Sequence, residues 1–190
     1  MAMKPEDVLR SIAAMRGDAI CVPTMTTVPA WRTIAPDDLS VVCVGFMGGA
    51  SSLGLGLALA RPDRRVVIFD GDGSLLMQLG SLATVAAARP PNLVHLVFKN
   101  GVYQTSGAQE IPGGLEVDFV TMAKAAGYRE AYAIGDLDEF RRRFPATLRG
   151  EGPALVELST GLAEQTPMTA PGGKPFHQQV EELREKLRRL

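Results

Sequence analysis

Two acids and an amide carry the most legible chemistry of this chain. In "VVIFDGDGSLLMQLG" (residues 66–80), Asp70 and Asp72 stand between an apolar run and a leucine-rich segment, and Asn100 follows Asp72 by 28 residues. A lone Asp-Gly-Asp-Gly could be a turn with an aspartate helix cap. Its setting suggests more. Gly71 and Gly73 permit positive φ and close approach of the backbone to a ligand. The segment from Ser74 reads as a helix, whose first N–H groups lack partners and favour an anion, with the Ser74 hydroxyl beside them. An acid at an anion site needs a cation between the two. Magnesium takes oxygen ligands, usually one or two carboxylates together with phosphate oxygens and water. Asp72, the amide oxygen of Asn100 and a carbonyl around Val102 would leave places for a diphosphate and water. Asp70 has no part in this and reads as a turn or capping residue.

The elements around these residues must put Asp72 and Asn100 at neighbouring strand ends. A helix is expected near the start, in "MAMKPEDVLRSIAAMRGD", then a strand over 19–24 and an irregular Pro/Thr-rich stretch to Asp38. From residue 41 apolar strands alternate with helices. "VVCV" leads through a Gly-rich turn to a helix ending at Ala60, and "VVIF" (66–69) leads through "DGDG" to a helix over roughly 74–88. In that helix Leu75, Leu79, Leu82 and Ala86 share a face. "LVHLVF" (93–98) is the next strand, followed by the Gly-rich loop 99–114. Helices over 118–127 and 136–144 and strands over 129–134 and 153–159 complete the pattern. It predicts an α/β fold: a three-layer, doubly wound, mostly parallel sheet with helices on both faces. In such a sheet ligands bind beyond the carboxyl ends of the strands, where the loops 45–49, 70–74 and 99–107 fall. The expected organisation is a lead-in over 1–40, the main domain over 41–162, and a tail with a closing amphipathic helix over 163–190.

Composition narrows the function classes. With 20 Lys plus Arg against 21 Asp plus Glu, a net charge of −1 gives no electrostatic case for nucleic acid or an anionic membrane. The uncharged segment 40–60 has the length of a membrane span, but its glycines and serines fit a strand end, a turn and a buried helix better. Cys21 and Cys43 are isolated thiols, as expected in a reducing cytoplasm, and cannot build a disulfide framework or a four-cysteine cluster. A nicotinamide-dinucleotide fingerprint does not fit, because a G-x-G-x-x-G/A frame begun at Gly54 ends on Leu59. His95, inside a strand, and His177, in the tail, read as structural.

Gly71-Asp72-Gly73 followed after this interval by Lys99-Asn100 resembles the signature of the diphosphate-binding domain of thiamine-diphosphate enzymes, G-D-G then N or NN. The resemblance covers about Val44 to Ser159. It implies thiamine diphosphate and Mg2+ as cofactors, with Asp72, Asn100 and the Val102 carbonyl as metal ligands. Gly71, Gly73 and Ser74 would hold the diphosphate, with Tyr103 nearby. "GFMGGASS" resembles the loop under the pyrimidine, where Gly45 would offer its carbonyl, Phe46 would adjoin it and Met47 would wedge the cofactor into its bent shape; by itself Met47 reads better as a flexible core filler.

The catalytic glutamate of these enzymes comes from a second, pyrimidine-binding domain. This chain is too short for that domain, and no catalytic residue is assigned within it. The resemblance therefore implies one subunit of a split enzyme, paired with a pyrimidine-domain subunit and expected as a dimer of heterodimers. "MGGASSLGLGLALARPDRRVVIFDGDGSLLMQLGSLA", "KNGVYQTSGAQE" and "TPMTAPGGKPF" are similar to sulfopyruvate decarboxylase β subunits and phosphonopyruvate decarboxylases, which act on small 2-oxo acids with a second anionic group. Gln104, Thr105 and Ser106 are candidate substrate contacts, or else part of a solvated turn. The thiamine subunit of a 2-oxo acid oxidoreductase, an acetolactate-type carboligase and a non-catalytic cofactor-binding protein are the alternatives.

Overall fold

The computed structural model describes residues 2–36, 39–43, 47–164 and 174–189. Its central sheet contains β1 (Ile20–Pro23), β2 (Val66–Gly71) and β3 (Leu93–Lys99). Two short strands, β4 (Val102–Tyr103) and β5 (Gln109–Glu110), pair antiparallel apart from it, and β6 (Glu130–Ile134) and β7 (Ala154–Ser159) complete it. The central order is β1-β2-β3-β7-β6, with every pairing parallel. Both faces are covered, which is why "VVIF" and "LVHLVF" are continuous apolar runs rather than alternating ones.

Strand side chains alternate between two cores. Val67, Phe69, Val94 and Leu96 pack with α1 (Pro5–Met15), α2 (Thr27–Ile34) and α7 (Leu137–Arg149). Val66, Ile68, Leu93 and Val97 pack on the other side with α3 (Ala50–Ala60), α5 (Ser81–Ala88) and α6 (Phe119–Ala126). A further helix, α8 (Phe176–Arg189), joins that second core through Leu183. The architecture is the three-layer α/β arrangement expected from the pattern.

Several local expectations change. The stretch before Asp38 is not irregular throughout: α2 forms because Val28 and Trp31, one turn apart, are both buried, and Pro29 falls in its first turn, where a missing N–H costs nothing. The Trp31 ring meets the edge of Phe69 at 4.7 Å, and its Nε1 donates to Ser40 Oγ at 2.9 Å. Asp38 lies outside the described residues. The segment 39–43 meets β1 only through isolated bridges, with Val41 N–H donating to the Cys21 carbonyl and Cys43 N–H to that of Pro23. The helix expected over 74–88 is two helices, α4 (Asp72–Met77) and α5. The chain leaves helical geometry at Gln78, and Ser81 turns α5 onto α3 through a buried 2.8 Å bond to Ser51 Oγ. Leu75, Leu82 and Ala86 are buried as their spacing predicts. The helix expected to end at 144 continues as α7 through Pro145 to Arg149, and the loop 99–114 carries the β4–β5 hairpin. β1 and α1, both before residue 40, pack within the same sheet assembly, with Val8, Leu9 and Ile12 fully buried. His177 sits in α8. Among the described residues no helix is long and apolar enough to cross a membrane.

Candidate functional site

The β2–β3 register pairs Gly71 with Phe98, so the turns that leave both strands lie side by side. Asp72 opens α4 at the end of β2 and is 2% exposed. Its Oδ1 accepts the Gly73 N–H at 2.8 Å, and its Oδ2 accepts the N–H groups of Asn100 and Gly101 at 2.9 and 2.7 Å. One carboxylate thus ties together both loops. Burial pushes its pKa up, against the pull of those three N–H groups. Asn100 Oδ1 accepts the Val102 N–H at 3.0 Å, while its Nδ2 faces Gln104 Oε1 at 3.5 Å.

The loop before α3 closes the site from another side. Gly48 N–H donates to Ser74 Oγ at 3.0 Å, so the hydroxyl expected to meet a ligand also anchors this loop, with its own proton still free to donate. Gly48 has φ +89°, and a Cβ there would stand 2.9 Å from that of Gln78. Gly73 is required for a different reason. The Tyr103 ring lies over it, and a Cβ would come within 2.6 Å of two ring carbons. Met47 is half-buried and shares one cleft with Gly71, Asp72, Asn100, Val102 and Tyr103, together with Met25, whose φ of 48° is unusual for a side-chain-bearing residue. Gly45 and Phe46 lie outside the described residues.

The donor set suits a hard cation shared with a ligand. Asp72, Asn100 and Val102 offer oxygen only, and each of the two side-chain Oδ1 atoms keeps a lone pair beyond its one N–H partner. Among the described residues no three His, Cys, Asp or Glu side chains cluster as a metal site. A single carboxylate fits Mg2+ that brings phosphate oxygens and water with it, rather than a cage built from protein alone.

The polar residues beyond this set differ in exposure and partners. Both polar atoms of the Gln104 side chain, on the cleft wall, engage the main chain of Ala163. Thr105 and Ser106 are exposed in a 3-10 turn. Asp70 is no surface turn residue: it is fully buried in β2, with Oδ1 accepting the Gly71 N–H at 3.0 Å and Oδ2 3.2 Å from His95 Nε2. His95 Nδ1 lies 3.4 Å from the Tyr128 hydroxyl, whose pKa is raised by burial and by the charge of Asp70. Ile68 is the register partner of His95, so Asp70, two residues on, projects from the same face; that parity was the signal available in the sequence. Glu157 is likewise buried, in β7, where its Oε1 pairs with Lys99 at 3.4 Å and its Oε2 accepts the Phe119 N–H.

Several known proteins are similar to this chain. The chain is 47% identical over 126 residues to a phosphonopyruvate decarboxylase of Streptomyces hygroscopicus, covering 66% of this chain and 31% of that one. It is 31% identical over 162 residues to a sulfopyruvate decarboxylase subunit beta of Methanocaldococcus jannaschii, covering 84% and 85%. It therefore spans about a third of the first relative (31%) and most of the second (85%). A thiamine diphosphate-dependent 4-hydroxybenzoylformate decarboxylase of Rhodococcus jostii RHA1 superposes with a TM-score of 0.73 at 25% identity, over 86% of this chain and 34% of that one. Residues 30–158, which include Asp72, Asn100 and Val102, match the thiamine pyrophosphate enzyme family, and the chain belongs to its C-terminal TPP binding domain.

Proposed function

We propose that this chain is the diphosphate- and Mg2+-binding part of a thiamine-diphosphate-dependent 2-oxo acid decarboxylase, working with a pyrimidine-binding domain on a separate subunit. The observation that carries the proposal is the convergence of Asp72, Asn100 and Val102 on one cleft at the carboxyl ends of β2 and β3. Asp72, the Asn100 amide oxygen and the Val102 carbonyl would hold Mg2+, with the Ser74 hydroxyl and the Gly73 main chain toward the diphosphate. When bound, thiamine diphosphate supplies an electron sink for the pair released as carbon dioxide departs. The chain's own part is to bind and orient. Asp72 brings the loops after β2 and β3 into one rigid unit, Tyr103 closes over Gly73, and Met47 presents an apolar surface beside them.

Similarity to the Streptomyces phosphonopyruvate decarboxylase and the Methanocaldococcus sulfopyruvate decarboxylase subunit beta supports a 2-oxo acid with a second anionic group, phosphonate or sulfonate, as substrate. That a β subunit is covered over most of its length supports the split arrangement. The test is to titrate the chain with thiamine diphosphate by calorimetry, with Mg2+ and with EDTA, then to assay carbon dioxide release from sulfopyruvate and phosphonopyruvate after adding a pyrimidine-domain subunit. Mg2+-dependent binding, and turnover only by the pair, are expected. Full turnover by this chain alone would overturn the split-enzyme proposal.

A further inference from the structure

Gln104 begins the 3-10 turn (Gln104–Ser106) that follows Asn100 and Val102, and it is half-buried on the wall of the cleft. Its Nε2 donates to the Ala163 carbonyl at 2.7 Å, and its Oε1 accepts the Ala163 N–H at 3.0 Å. A side-chain amide that meets both backbone groups of one residue is fixed in orientation, since a flip would set donor against donor and acceptor against acceptor. The same Oε1 lies 3.5 Å from Asn100 Nδ2, a weak contact by length but a directional one. An acceptor there draws the NH2 end of Asn100. The oxygen end is left to the Val102 N–H and to the cleft.

Ala163 is itself held from outside the site. The Met3 N–H donates to the Ser159 carbonyl, Gly161 N–H to that of Met3, Thr160 N–H to that of Lys99, and Glu164 N–H to Glu6 Oε1. The strap 159–164 is therefore anchored on the N-terminal segment and on the end of β3 before Gln104 engages it.

Resting on the cation site proposed above, we infer that Gln104 is a positioning residue: held by the main chain of Ala163, its amide sets the flip of the Asn100 side chain so that Oδ1 and not Nδ2 faces the cation. Gln104 thus serves the metal site from behind, in place of a substrate contact. The strap is the fixed surface against which it works.

The test compares the full chain with Q104M, which keeps side-chain length and loses both polar atoms, with Q104E, and with E6A, which frees the strap at Glu164 far from Asn100. Amide hydrogen exchange on the cofactor-free protein reads the clasp. Calorimetry with thiamine diphosphate at graded Mg2+ reads the site. Faster exchange at Ala163 is expected in Q104M, with a Mg2+ requirement raised on the order of tenfold, the size of effect seen when a partner of a metal ligand is lost. Q104E sets a carboxylate oxygen against the Ala163 carbonyl, so the clasp should be lost there too, with faster exchange at Ala163 than in the unsubstituted chain. E6A should speed exchange at Glu164 and leave the Mg2+ requirement unchanged. Unaltered exchange at Ala163 in Q104M, an unaltered Mg2+ requirement in Q104M, or an equal rise in E6A would each overturn the inference. Absence of Mg2+-dependent binding in the unsubstituted chain would instead overturn the cation site, and with it any role of Gln104 toward it. The exchange data would still show whether the clasp forms, so the two failures are distinguishable.

Discussion

Replacing His95 by leucine, a side chain of similar volume, exposes the energetics of the buried Asp70. Both side chains have no exposure at all, and their 3.2 Å contact leaves Asp70 with the Gly71 N–H as its other described partner. Removing the imidazole takes from the buried carboxylate one charge-assisted hydrogen bond, at a cost of roughly 1.5–3 kcal/mol. The contact is long for a charge-assisted bond, so His95→Leu should cost about 2 kcal/mol, short of the upper end. At roughly 2–4 °C per kcal/mol for a chain of this size, the melting temperature should drop by about 4–8 °C. Asp70→Asn should behave differently. Its Oδ1 keeps the Gly71 N–H, and its new NH2 can donate to His95 Nε2, provided the imidazole proton moves to Nδ1 and the Tyr128 hydroxyl turns from donor to acceptor. A hydroxyl tolerates either role, so the expected loss is about 1 kcal/mol or less. The double variant D70N/H95L should then be more stable than H95L, because a stranded amide costs less than a stranded carboxylate. Thermal and urea unfolding of the cofactor-free chain, followed by circular dichroism, measures all four proteins. A loss below about 1 kcal/mol in H95L, or losses of equal size in H95L and D70N, would refute the reasoning.

Three further outcomes follow from the same geometry. Gly73→Ala should cost about 1–3 kcal/mol through overpacking against Tyr103, and Tyr103→Ala in the same chain should recover most of it; strictly additive unfolding energies would exclude that contact. Asp72→Ala should abolish Mg2+-dependent binding of thiamine diphosphate in calorimetry. In the unsubstituted chain, the raised pKa of Asp72 should make affinity fall on acidification at a higher pH than an ordinary aspartate, near 3.9, would give; unchanged affinity in the variant contradicts the ligand assignment. Burial pushes the Cys21 thiol up to about 12 and raises that of Cys43, so neither should react with a thiol reagent at pH 8 until the chain is denatured. Because the folded state favours the neutral thiols, their contribution to stability is intact below the free-thiol range and declines as pH rises from about 9 toward 12. A rapidly labelled thiol in the folded protein would contradict this.

The sequence by itself determined the layered α/β class and the central pair of the site. Buried parallel strands must be continuous apolar runs, and one helix plus one strand between Asp72 and Asn100 suffices to bring them to adjacent strand ends. Local patterns failed where a bond depends on how distant elements stack. The order β1-β2-β3-β7-β6 places β7 beside β3, and only that neighbour brings Ala163 to Gln104, 59 residues away, and Glu157 to Lys99. The leucine spacing over 75–86 could not show the break at Gln78, because the same face is served by two helices packed separately on α3 and β2. Asp70 shows the division most sharply. Its position next to Gly71 marks it as part of a turn, but its chemistry is decided by His95 on the neighbouring strand and by Tyr128, two residues before β6. Local propensity encodes which residues enter a strand; the partners that satisfy a buried charge are chosen by the register and order of the assembled sheet.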